Sequence, residues 1–187
     1  TAILEDLQNR MQQDFPALAD LTAQTVQCDI QDVDAGLEAY SSPAFYMIPP
    51  IDALMQNTIR INRSSTADGI ELYTTLAHEG YPGHLYQTVY SSLVCDTQTL
   101  PIRKLFSYGG YVEGWAYYTE RISYEYAAQV LAEAEGSLGS SYPAALLCTL
   151  LAQQRDLQIN LFCLLDLSLH YYGAEESELL RSLESFG

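Results

Sequence analysis

The stretch TTLAHEGYPGHLYQ (residues 74–87) decides how the rest of the chain is read. It sets a glutamate beside a histidine and adds a second histidine, as the metal-ligand pattern H-E-x-x-H does, but His84 arrives two positions late. Helical ligand pairs stand at i and i+4, because about 100° of rotation per residue returns the second ring to the face of the first. His78 and His84 stand at i and i+6, a rotation of roughly 600°, which on an unbroken helix leaves the rings about 120° apart. Both rings reach one ion only if the helix breaks between them.

The same residues supply the break. Pro82 takes the i+4 position, lacks a backbone donor and clashes with the carbonyl of His78 in a continuing helix. Tyr81, preceding a proline, is pushed out of the α region, and Gly83 allows unusual dihedral angles. A bulge or a helix restart at Pro82 absorbs two residues and turns His84 back toward His78. The inventory fits such a site, since the 187-residue chain has three histidines and two of them lie here.

Outward from this segment, residues 1–14 place Ile3, Leu4, Leu7 and Met11 at helical spacing before Phe15 and Pro16 end the pattern. TVQCDI (25–30), AFYMI (44–48) and TIRIN (58–62) read as strands separated by the turn-rich DVDAG and PPIDA. TIRIN is expected as an edge strand able to pair with an extended peptide. Helices are expected over 68–80, 82–95, 111–135, 143–172 and 174–187, with EGSLGSS (135–141) as a loop and Gly173 as a helix stop. The fold class is mainly α with a small antiparallel sheet (α+β). A single domain is expected over 1–187, a short helix and sheet in 1–66 and helices carrying the motifs in 67–187.

An apolar fraction of 48% is ordinary for a globular domain. A formal charge of −16 with eight basic residues argues against neutralising nucleic-acid phosphates and against contact with an anionic membrane surface. No run approaches the roughly 20 apolar residues of a membrane span, and no signal-peptide pattern opens the chain. Because it begins at Thr1, the chain is expected to be the C-terminal part of a longer protein, and localisation stays open. Cys28, Cys95, Cys148 and Cys163 form no C-x-x-C pair and are expected as buried free thiols.

Two further segments carry candidate groups. In YVEGWAYYTER (111–121) and its continuation, Glu113, Tyr117, Glu120 and Tyr124 fall within about 60° of one another on a helix. INLFCLLDLSLH (159–170) places Asp166 one turn before His170, and Arg155 lies about 60° from His170 on the same helix. Burying these three costs several kcal/mol unless they are paired, so they are expected to meet each other or the metal site.

Together, HEGYPGHLYQ, VEGWAYYTE and DLSLHYYG resemble, in order, the H-E-x-x-P-G-H-x-x-Q, E-G-W-A and D-x-x-x-H-x-x-G motifs of the bacterial proteins grouped as domain of unknown function 885. The likeness spans roughly residues 45–186. Tyr117 stands where the family usually has leucine, and Ser168 where it has glycine. The resemblance implies a gluzincin-like metallopeptidase fold binding one zinc ion through His78, His84 and Glu113, with Glu79 as general base. It also implies a bacterial protein, secreted or lipid-anchored if a signal segment precedes this one. His170 is a candidate oxyanion stabiliser held by Asp166, or else a histidine capping its helix end. Tyr117, Glu120, Arg155 and Asp166 are candidates for substrate binding or ligand support, with Glu120 the fallback ligand.

The expected function is zinc-dependent hydrolysis of a peptide or amide bond by an activated water; hydrolysis of another amide or ester shares that chemistry. The alternative is a metal-binding or surface-interaction domain without turnover. An intact Glu79 weighs against it, since a purely structural site needs ligands but no base. The sequence leaves oligomeric state open.

Overall fold

The structure, a computed structural model, describes residues 2–65, 69–95, 106, 108–135 and 143–184. It has a small mixed sheet and six α-helices among these residues: α1 (Ala2–Arg10), β1 (Gln27–Asp32), β2 (Ala44–Met47), β3 (Gln56–Ile61), α2 (Ile70–Glu79), α3 (His84–Cys95), α4 (Gly109–Glu135), α5 (Ala144–His170) and α6 (Glu176–Glu184). The expected α+β class is found. The loop expected at 135–141 lies almost wholly outside the described residues.

The sheet differs from the expected antiparallel one. Its order is β1-β3-β2, with β1 parallel and β2 antiparallel to β3. β2 and β3 form a hairpin on one edge of β3, and the connection from β1 crosses to the other side, leaving β1 only a parallel pairing. TIRIN therefore lies in the central strand rather than at an edge. Period-2 alternation explains why it is inside: Asn57, Ile59 and Ile61 are buried, while Thr58 and Arg60 are only partly so. The edge nearest the motif helix is β2, which packs against α2.

One core joins these layers. Leu4, Leu7 and Met11 from the N-terminal segment meet Ile59, Leu76, Ala77, Leu85 and Val89. α2 packs on α4, which packs on α5. Arg10 ties α1 to α4 through Gln129 and Glu133, and the Tyr73 hydroxyl donates to Asp6 at 2.7 Å. None of the described helices is long and apolar enough to cross a membrane. Of the cysteines, Cys148 is buried, Cys28 is half-buried and Cys163 is exposed, which corrects the expectation for Cys163; the Cys95 side chain lies outside the description.

The helix break is found where the sequence places it. α2 stops at Glu79 and α3 starts at His84, with a cis peptide between Tyr81 and Pro82. The excursion is tied to α2 by its own backbone: Gly80 N–H donates to Leu76 O and Gly83 N–H to Ala77 O, both at 2.9 Å. The second bond reaches back six residues and thereby spans the two extra positions. The indole N–H of Trp115 on α4 donates to Pro82 O at 2.9 Å, fixing the turn to the neighbouring helix. Gly83 is required by space: a Cβ there would lie 1.7 Å from His78 O and 2.4 Å from Ala77 O.

Gly83→Ala is expected to lower stability by about 2–4 kcal/mol, because backbone atoms cannot yield as a flexible side chain does. At Gly114 on α4 an added Cβ meets nothing within 4 Å, so Gly114→Ala is expected to raise stability by about 0.5–1 kcal/mol. Urea unfolding of the two variants beside the native chain measures both changes.

Candidate metal centre

The restart of the helix brings the two imidazoles together. Their ring centroids lie 4.9 Å apart at an interplanar angle of 88°. Glu113, from the first turns of α4, reaches in from the facing helix, its Oε2 3.7 Å from Nε2 of His78 and 3.6 Å from Nε2 of His84. Tetrahedral zinc with bonds of about 2.0–2.1 Å places its ligand atoms about 3.3–3.4 Å apart. Both Glu113 distances sit within a few tenths of an ångström of that spacing, and two imidazoles with one carboxylate form a zinc donor set.

Glu79 is a competing third ligand, since it is the donor atoms of His78, Glu79 and His84 that all lie within 4.8 Å of one another. Two observations favour Glu113. Its Oε2 lies within 3.7 Å of both Nε2 atoms, and one oxygen of Glu79 is already engaged, its Oε2 accepting the Tyr46 backbone N–H at 2.8 Å. Consecutive residues on a helix point about 100° apart, so Glu79 stands beside the two-histidine face rather than within it.

Support for His78 comes from Glu120, two turns beyond Glu113 on α4. Nδ1 of His78 meets Glu120 Oε2 at 2.9 Å, which leaves Nε2 facing Glu113. Glu120 is 5% exposed and its other oxygen accepts from Nε of Arg155 on α5 at 2.7 Å. As the fallback ligand it is misplaced, because both oxygens are engaged away from the Nε2 pair.

The charges follow from burial and neighbours. Burial opposes protonation of His78, but the Glu120 hydrogen bond and the carboxylates of Glu79 and Glu113 outweigh it and hold the ring above its ordinary value. His84 is lowered by burial and by the neighbouring His78, which favours the neutral ring that ligates metal. Burial raises Glu79, against the pull of His78 and the Tyr46 N–H. Burial works against the Glu120 carboxylate too, but its bonds to His78 and Arg155 prevail and bring it below the usual range.

These groups line an open cleft of about 790 Å³. Residues 42–46 form one wall, Glu71, Thr74 and Thr75 of α2 another, and Tyr124, Leu151, Gln154, Arg155 and Gln158 the far side. The expected α4 face is divided in the fold. Glu113, Glu120 and Tyr124 line the cleft, whereas the Tyr117 hydroxyl turns to Asp156 on α5, which also pairs with Arg121. His170 and Asp166 are not brought to the cleft. Both are exposed on the far end of α5, His170 at 77%, with Nε2 3.6 Å from Asp166 Oδ1. Their expected burial with Arg155 is corrected: α5 carries Arg155 against α4, then presents Leu157, Phe162, Leu164 and Leu167 on the surface together with the Asp166–His170 pair.

Three contributors were not read from the sequence. Tyr46 acts through a backbone N–H, which any residue offers. Trp115 acts through the Pro82 carbonyl, and Asp156 is the partner of Tyr117. The tryptophan alone carries a signal, since it follows Glu113 by two positions and its indole N–H needs a partner when buried.

The family described as "Bacterial protein of unknown function (DUF885)" matches residues 1–178. No curated protein matches the chain. Among solved structures, "the putative lipoprotein from Colwellia psychrerythraea" is similar at a TM-score of 0.57 and 19% identity, over 95% of this chain and 28% of that one. At that identity the likeness is one of fold, and the chain spans little more than a quarter of the larger protein. The overall fold recurs in that structure, and a family match over nearly the whole length makes this chain a member of the bacterial DUF885 family.

Proposed function

We propose that the chain carries the catalytic centre of a zinc-dependent, gluzincin-like hydrolase acting on peptide or amide bonds. The observation that carries the reading is the convergence of Nε2 of His78, Nε2 of His84 and Oε2 of Glu113, with Glu79 beside them in a cleft. Zinc at this donor set supplies a Lewis acid and lowers the pKa of bound water to about 7.

The chain's own groups account for the remaining chemistry. Tyr46 holds one oxygen of Glu79, and the other is left to accept a proton from the attacking water and return it to the leaving amine. Burial helps this exchange by raising the Glu79 carboxyl toward the pH at which it works. β2 is an edge strand of the sheet and ends beside Glu79, so an extended peptide paired along it would run past the base. The edge-strand role expected of TIRIN passes to residues 44–47. Two α2 residues, Glu71 and Thr75, continue the cleft wall along the path such a peptide would take. A place at the bacterial cell surface fits the description of the Colwellia protein and belongs to the same proposal.

Elemental analysis of chelator-free protein is expected to find about one zinc per chain, lost in His84→Ala and Glu113→Ala. Affinity should fall as pH drops, because protons compete for His78, whose proton affinity is raised; zinc titrations between pH 8 and pH 5 read this. No zinc at pH 7.5 in the native chain would overturn the reading.

Glu79→Gln should retain zinc while hydrolysis falls about 10²–10⁴-fold, assayed on a mixed peptide library beside simple esters and anilides. Equal zinc content with no turnover in either form would instead favour a binding domain.

A further inference from the structure

We infer that Arg155 is a positioning residue of the metal centre, acting from α5 through Glu120 on the ring of His78. The inference rests on the metal-centre reading above and extends it by one more side chain and one more helix.

The geometry is a continuous chain of contacts. Arg155 Nε donates to Glu120 Oε1 at 2.7 Å and Nη2 to Oε2 at 3.4 Å, so the guanidinium spans both oxygens of one carboxylate. Oε2 in turn accepts from Nδ1 of His78 at 2.9 Å. Nδ1 carries the proton in this arrangement, because the ionised carboxylate can only accept. The acceptor lone pair of the ring is then on Nε2, the nitrogen 3.7 Å from Glu113. Carboxylate partners of this kind set both the tautomer and the tilt of a ligand histidine.

Glu120 needs a cation to hold that place. It is 5% exposed, and a desolvated carboxylate bonded only to a neutral imidazole N–H retains little of its hydration energy. Arg155 is the guanidinium that meets it, and its planar fork fixes the plane of the carboxylate as well as its charge. Its remaining donor bond, Nη1 to Gln158 Oε1 at 3.2 Å, stays on α5. The guanidinium lines the cleft but is committed to Glu120, which distinguishes it from a free cation awaiting a substrate carboxylate. Without it, Glu120 gains rotamer freedom, and the His78 ring loses its fixed orientation while every ligand remains present.

The test uses the whole chain in metal-free and zinc-titrated forms. Arg155→Ala is expected to weaken zinc affinity about 10–100-fold, and Arg155→Lys, which restores the charge but not the planar fork, to recover part of that loss. In a Glu120→Gln background, Arg155→Ala should change affinity less than about twofold, because the link it acts through is already cut. In the metal-free protein, the Nδ1 proton of His78 should give a slowly exchanging nitrogen-15-coupled signal that Arg155→Ala abolishes and Arg155→Lys retains. If the alanine variant fails to fold, Arg155→Gln takes its place in the same comparisons.

Unchanged zinc affinity and an unchanged Nδ1 signal in the folded variant would overturn the inference. So would an equal loss of affinity with and without Glu120, which indicates a general effect on the fold. A native chain that binds no zinc but shows the Arg155-dependent signal would overturn the metal reading and support the positioning.

Discussion

The architecture of the site depends on one close approach: the backbone at Gly83 lies against the carbonyl of His78, where no side chain fits. That contact lets the chain leave α2, run through four residues and begin α3 with His84 facing His78. It spends little hydrogen bonding, since the N–H groups of Gly80 and Gly83 both find carbonyls on α2. The buried Tyr81 and Pro82 fill the bend, and the Trp115 indole clamps it to α4. Glu113 lies on the same helix two positions before Trp115, so the clamp that holds the bend also sets the third donor opposite the two rings.

Around that bend, charge is arranged in layers. The inner layer is the pair of imidazoles with Glu113, whose side chain is 68% exposed. Behind it lies Glu120, almost fully desolvated and stabilised by His78 on one side and Arg155 on the other. Glu79 occupies a third environment, half-buried and steadied by one backbone N–H from β2. Three carboxylates within one cleft thus stand in three distinct environments, set by solvent access and hydrogen-bond partner. The opposite directions of the Glu79 and Glu120 shifts express the same division.

The two halves of α5 differ in the same physical sense. Its first half packs Cys148 and Ala152 into the core and sends Arg155 to Glu120. Beyond that point the helix exposes leucines, a phenylalanine and the Asp166–His170 pair. A run of apolar residues broken by an aspartate and ending in a histidine reads as buried on sequence alone, because hydrophobicity states what favours burial and not whether a neighbouring surface is there to provide it. The same limit explains Cys163, which sits within that run and is exposed.

Much of the helical half was legible, because 3.6-residue periodicity and proline or glycine punctuation are local properties. The break at 80–83 followed from Pro82 and from the impossible i+6 alignment of the histidines on a straight helix. Sheet topology was not legible: strand segments were recognisable from their composition, but whether β1 pairs in parallel, and which strand is central, depends on how the connection crosses the sheet. Tyr46 and Asp156 escaped notice because a backbone donor and a distant hydrogen-bond partner leave no pattern in the sequence. The sequence by itself determined that the helix must break and which donors flank the break, since both follow from residue type and spacing. Only the tertiary structure decided that Glu113 meets the two Nε2 atoms while Glu120 turns to Nδ1 and Arg155. Those choices depend on how α4 and α5 pack beside α2, through contacts between residues far apart in the chain.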